Sequence, residues 1–136
     1  MDNATTARYW MIVVGVALLA AGLLGFVAGN PIASSDPNAL FRVNAAHNVV
    51  HIITGLLALG SGFGLRGETL ANATIGFGVM YALVFVLLVV DHSLFGLFAD
   101  APANVADHVL HLALAVVSIA VGYMARERTV NRAQRA

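Results

Sequence analysis

The sequence has no cysteine. That excludes disulfide stapling, thiol redox chemistry and thiolate metal ligation, and argues against the small four-helix membrane oxidoreductases that work through paired cysteines. Lysine is also missing: all seven basic residues are arginine, set against seven acids. No basic run of the kind that holds nucleic acid is present, so nucleic acid is not expected as a partner. Charge is scarce altogether. Charged residues make up 10% of the chain and hydrophobic residues 60%, and the mean hydropathy is +0.84. A soluble domain of 136 residues needs more polar surface than this. The excess apolar surface must face something other than water, and lipid is the natural solvent for it.

What is present is a series of long uncharged runs. Spanning a hydrocarbon core takes about 20 residues at roughly 1.5 Å each. Four stretches meet that length: about residues 9–28, 43–65, 70–90 and 104–125, the last carrying Asp107 in its first turn. The first is too long for the apolar core of a typical secretory signal and is read as a retained helix. Pro31, Asp36-Pro37 and Pro102 mark residues 30–42 and 91–103 as loops. Residues 65–69 form a short polar turn, which makes the second and third helices antiparallel neighbours. The expected fold class is all-α: a single integral membrane domain over residues 1–136, a four-helix bundle with a polar tail at 126–136.

Arginine placement sets an expected orientation. Arg8, Arg66, Arg126, Arg128, Arg132 and Arg135 fall on one side of the four crossings, and only Arg42 on the other. The positive-inside rule then puts both termini in the cytoplasm of a multi-pass inner (plasma) membrane protein. The tail is expected to fray or to lie on the anionic inner leaflet. Tyr9, Trp10 and Tyr123 would sit at the inner interface, a depth that aromatic residues with a polar handle prefer.

The second and fourth helices open alike. Asn44, His47 and His51 recur as Asn104, Asp107 and His111 at a constant offset of 60 residues, and each opening follows a Leu-Phe pair, Leu40-Phe41 or Leu97-Phe98. The pattern predicts two repeated helical hairpins related by a pseudo-twofold axis along the membrane normal.

These openings contain the candidate chemistry. Asn44 and Asn104 are favoured N-cap residues, and Asp107 stands where an acid can reach back to its cap. Capping does not explain His51 and His111, which lie roughly 10 Å along the axis at 1.5 Å per residue. Residues four apart share a helix face, so His47 projects with His51 and Asp107 with His111. If the two faces meet, three imidazoles and one carboxylate converge. That donor set suits a transition metal such as Zn or Cu, and ligand pairs on facing helices are a known way to build metal sites in bundles. Haem held by His51 and His111 fits less well, because the histidines cluster near one end. A purely structural reading is a His/Asp/Asn network tying the hairpins together, each contact worth roughly 1 kcal/mol or less. A third reading uses the cluster as an acid, base or proton relay in a hydrolase or transporter. Asn48, His92 and His108 are peripheral: His92 and His108 are expected at the interface, and His108 aligns with Asn48 and so breaks the repeat.

Gly15, Gly22, Gly25, Gly55, Gly62, Gly76 and Gly78 are expected to let helices approach closely. So slim a bundle has no room for a wide aqueous pore. Its free apolar faces suit a homo-oligomer or a larger membrane complex.

The segments Leu40-Phe41-Arg42-Val43-Asn44, His47-Asn48, His51 and Thr54-Gly55-Leu56-Leu57, with Asn104, Ala106-Asp107 and Leu110-His111-Leu112, resemble the paired motifs of a bacterial and archaeal family of small four-helix membrane proteins, catalogued as domain of unknown function 4383. The resemblance spans about residues 9–123. It implies the four-crossing architecture and the choice of Asn44, His47, His51, Asn104, Asp107 and His111, and it implies no particular activity.

Overall fold

The computed structural model describes the backbone of residues 3–133 and the side chains of residues 5–126. Four helices account for most of the described residues: α1 (Asn3–Leu24), α2 (Ala45–Gly64), α3 (Gly67–Val90) and α4 (Val105–Ala133). Each is long and apolar enough to cross a membrane. Outward-facing Leu57, Leu83 and Val116 are 63%, 59% and 57% exposed. Apolar faces of that extent are not tolerated in water, whereas helices satisfy their own backbone hydrogen bonds and can stand in lipid. The chain is a small all-α, multi-pass membrane protein.

The helix ends differ from the hydropathy-based expectation. α1 starts at Asn3, because Thr5, Thr6 and Arg8 are polar but do not break a helix. It ends at Leu24, ahead of Gly29, whose φ of +73° is left-handed. α4 does not stop at residue 125. It runs on as helix to Ala133, since Ala, Arg, Met and Glu all favour helix whatever their hydropathy. The tail expected at 126 is therefore helical as far as 133, and residues 134–136 and the side chains beyond Arg126 lie outside the described residues.

α1 packs along α2 and α3 along α4, and the two pairs meet chiefly through α1 and α4. Close approach depends on bare Cα atoms. A Cβ on Gly15 would stand 2.9 Å from the Gly55 carbonyl oxygen, and one on Gly78 2.8 Å from that of Ala115. Gly76, expected to do the same, has open space beside it, while Gly122 packs against Ile75. In lipid such contacts act through dispersion rather than exclusion of water. The core is formed by Met11, Leu18, Ala58, Leu70, Phe77, Tyr81 and Leu114.

Three polar contacts tie the helices together at and beyond the end opposite the long loops. The Arg8 guanidinium donates to the Leu65 carbonyl at the end of α2 (3.2 Å), a favourable place for a cation. Trp10, expected at the inner interface, turns inward and donates its indole N–H to Ser118 Oγ at 2.9 Å, so it ties α1 to α4. Arg126 and Glu68 approach to 3.8 Å, both about half exposed; an exposed pair of this kind contributes little.

The two long loops close the other end. Residues 33–34 (β1, Ala33–Ser34) and 41–42 (β2, Phe41–Arg42) form a two-residue parallel bridge, an addition to the helical architecture. In the second loop Asp91 accepts from Ser93 N (2.8 Å), Ser93 Oγ (2.6 Å) and Phe95 N (3.2 Å). These bonds hold its carboxyl below its ordinary pKa. Leu94 and Phe95 then take left-handed φ values of 48° and 56°. That conformation is costly for residues with a Cβ. The turn leads into Phe98, which is buried with Leu88 and Ala103.

Candidate metal centre

Both helix openings are capped by the asparagines. Asn44 Oδ1 accepts from His47 N at 2.9 Å, and Asn104 Oδ1 from Asp107 N at 3.0 Å. Asp107 completes a reciprocal box: its Oδ2 accepts from Asn104 N at 2.8 Å. The amide groups of the two caps also reach across the molecule. Asn44 Nδ2 donates to the Leu97 carbonyl (3.0 Å) and Asn104 Nδ2 to the Leu40 carbonyl (3.0 Å), so each cap holds the loop of the other hairpin.

Beyond the caps, the inward stripe of α2 carries His47, His51, Thr54, Gly55, Ala58 and Gly62. This stripe recurs every three to four residues, so the imidazoles enter the bundle on the same face as the core. His111 does so from α4. The three rings converge: centroids lie 4.4 Å apart for His47–His51, 5.9 Å for His47–His111 and 6.4 Å for His51–His111. One ring nitrogen of each lies within 4.8 Å of the others. Nitrogens sharing an ion at about 2.0–2.1 Å can be at most about 4.2 Å apart, so closing on a metal requires a modest inward rotation of the rings.

The burial of these rings is nearly complete, at 1%, 4% and 3% exposure for His47, His51 and His111. Neither ring nitrogen of His47 or of His51 has a hydrogen-bond partner among the described residues. The Arg42 backbone approaches the His47 ring, but without the geometry of a hydrogen bond. His111 differs. Its Nδ1 lies 2.6 Å from the Asp107 carbonyl. A carbonyl only accepts, so Nδ1 carries the proton and Nε2 keeps its lone pair. Metal-binding histidines are commonly oriented in this way.

Aromatic rings enclose the cluster. Phe98 stacks on His47 (4.4 Å, 11°) and Tyr81 on His111 (5.6 Å, 28°). The Tyr81 hydroxyl lies 3.2 Å from Thr54 Oγ1, one turn below His51. Neither ring was singled out from sequence. The Leu97-Phe98 pair marked the loop, but its stacking depends on a tertiary meeting, and Tyr81 is one of many apolar-run residues on α3.

Asp107 does not join the three imidazoles, contrary to expectation. Besides the Asn104 N–H, its Oδ2 accepts from Arg42 N at 3.2 Å, and it is 1% exposed. Its Oδ2 is taken up by the cap and by the opposite loop, and the ligand atoms that converge are those of His47, His51 and His111 alone among the described residues. The peripheral residues also lie elsewhere. His92, exposed, and His108, half-buried, meet each other (Nδ1 to Nε2, 3.1 Å), with His92 Nδ1 also 3.0 Å from the Leu88 carbonyl. Asn48 is 1% exposed and its Oδ1 has no partner among the described residues. It packs against the bare Cα of Gly25.

Comparison with known proteins adds a family but no activity. No curated protein and no solved structure matches the chain. A family model described as "Domain of unknown function (DUF4383)" matches residues 8–124, and the chain belongs to that family.

Proposed function

We propose that this is a metal-binding membrane protein in which His47, His51 and His111 hold one transition-metal ion, Zn or Cu, near the extracytoplasmic face. One observation carries the reading: three buried imidazoles from two helices meet, and the nitrogens of His47 and His51 lack partners among the described residues. A buried polar group without a partner costs about 1–3 kcal/mol. Polar glue between helices works through hydrogen bonds, and the His47 and His51 rings make none among the described residues, so a role as helix ties does not account for them. A metal ion does, since neutral imidazole is a ligand of choice for Zn and Cu. Burial also favours a resident ion over an acid–base relay, which needs an open approach for water.

The tying role falls to other residues. Asn44, Asn104 and Asp107 cap two helices and bind the opposite loops, which is the work of a structural network. The arginine distribution supports cytoplasmic termini in the plasma membrane, with the site on the outer side.

The test is elemental analysis of the purified protein. The expected result is close to one Zn or Cu per chain, falling to background in His51→Ala and in His111→Ala. Metal below stoichiometry and unchanged in both variants overturns the reading.

A further inference from the structure

Apart from the three-histidine cluster, one other pair of imidazoles comes together. His92 follows Asp91, the C-cap of α3, and His108 lies near the start of α4. Their ring centroids are 5.0 Å apart and the rings are tilted by 56°, so they do not stack. Nitrogen faces nitrogen instead: His92 Nδ1 is 3.1 Å from His108 Nε2, and it is 3.0 Å from the Leu88 carbonyl oxygen. Two nitrogens and one oxygen gather around a single point.

As neutral rings the pair holds a proton there. The Leu88 carbonyl only accepts, so His92 Nδ1 carries the proton and shares it with the Nε2 lone pair of His108. An ion can take that proton's place. Moving the proton to His92 Nε2 frees the Nδ1 lone pair and leaves both rings neutral. His92 is exposed, so water can receive the displaced N–H. The spacing suits coordination. Two nitrogens bound to one ion at about 2.0–2.1 Å stand about 2.8–3.0 Å apart at a right angle and about 3.3–3.4 Å apart at the tetrahedral angle. The observed 3.1 Å falls between these, so the pair needs no inward rotation of the kind the buried cluster requires. The electrostatics favour a cation as well. Leu88 belongs to the last turn of α3, the negative end of its helix dipole. The Asp91 carboxylate is within electrostatic reach of His92. Its oxygens are engaged by Ser93 and Phe95, so it supplies charge rather than a ligand.

We propose that His92 and His108, with the Leu88 carbonyl, form a second transition-metal site, open to solvent, whose preferred ion is Cu²⁺. Imidazole is a donor for both Cu²⁺ and Zn²⁺, and Cu²⁺ leads the divalent series in affinity. Water fills the remaining positions, so the ion exchanges on washing, unlike one enclosed by His47, His51 and His111. None of those three residues takes part, and the site stands whether or not the cluster holds a metal.

The experiment titrates metal-free full chain, in detergent and without a histidine tag, with CuCl₂, followed by calorimetry and electron paramagnetic resonance. One Cu²⁺ equivalent with imidazole-nitrogen coupling is expected to weaken at least tenfold in His92→Ala and in His108→Ala, and to persist in His51→Ala. His92 is exposed, so His92→Ala should fold, and circular dichroism checks that it does. The cluster is scored separately, as the equivalent that His51→Ala removes. If the cluster takes no metal, wild type still binds one Cu²⁺ that His92→Ala loses. Uptake by His92→Ala equal to wild type in stoichiometry and affinity overturns the proposal. So does an equivalent that depends on His92 but not on His108, or one that His51→Ala also abolishes.

Discussion

His47 and His51 are 1% and 4% exposed, yet neither ring makes a hydrogen bond among the described residues. That pairing of burial with unmet polarity has a measurable consequence. Replacing a buried unsatisfied group by an apolar one of similar shape can be neutral or stabilising. In protein stripped of metal, His51→Leu is therefore expected to leave the melting temperature unchanged or raise it. With metal restored, wild type should gain stability and the variant should not. A drop in Tm for the metal-free variant would mean that His51 supports the fold by itself. At this scale the sequence is partly legible. Four-residue spacing and the matched Asn and His positions bring out His47, His51 and His111 as residues sharing faces. Asp107 is misread as a ligand because spacing records which way a side chain projects and not which N–H groups wait for it: the Asn104 and Arg42 amides occupy the carboxylate first. Phe98 and Tyr81 are invisible for a related reason, since ring stacking is settled by where loops and helices meet.

Capping governs the placement of the elements. The asparagine caps satisfy helix N–H groups and also grip the opposite hairpin's loop, so one residue fixes both where α4 begins and how the loop before α2 lies over it. Losing an N-cap costs about 0.5–2 kcal/mol, and Asn104→Ala also gives up the bond to the Leu40 carbonyl. A loss of about 1–2 kcal/mol is expected, read as a lower Tm with little change in helix content by circular dichroism. The helices themselves are legible as uncharged runs, because crossing a bilayer demands length and apolarity that a sequence cannot conceal. Their ends are less so. Hydropathy falls at residue 126, but the helix continues to Ala133, since backbone hydrogen bonding depends on propensity rather than on polarity. The parallel bridge of Ala33–Ser34 with Phe41–Arg42 leaves no trace in the pattern, being only two residues on each side.

For the whole molecule, the ends of the bundle differ. One end holds the short turn at residues 65–66 and the Arg8 and Arg126 contacts. The other holds two ordered loops, the capping network and the histidines. The proposed orientation sets the histidine end outside. With no native cysteine, single cysteines can be placed cleanly: a membrane-impermeant maleimide added to intact cells should label Asn38→Cys and spare Thr69→Cys until the membrane is opened. The reverse pattern would invert the topology and put the cluster on the cytoplasmic side.

What His47, His51 and His111 hold is read out by X-ray absorption at the edge of the bound metal. Three imidazole nitrogens at about 2.0–2.1 Å are expected, with the imidazole scattering reduced in His111→Ala. A shell dominated by oxygen, or a spectrum identical in wild type and His111→Ala, would contradict it.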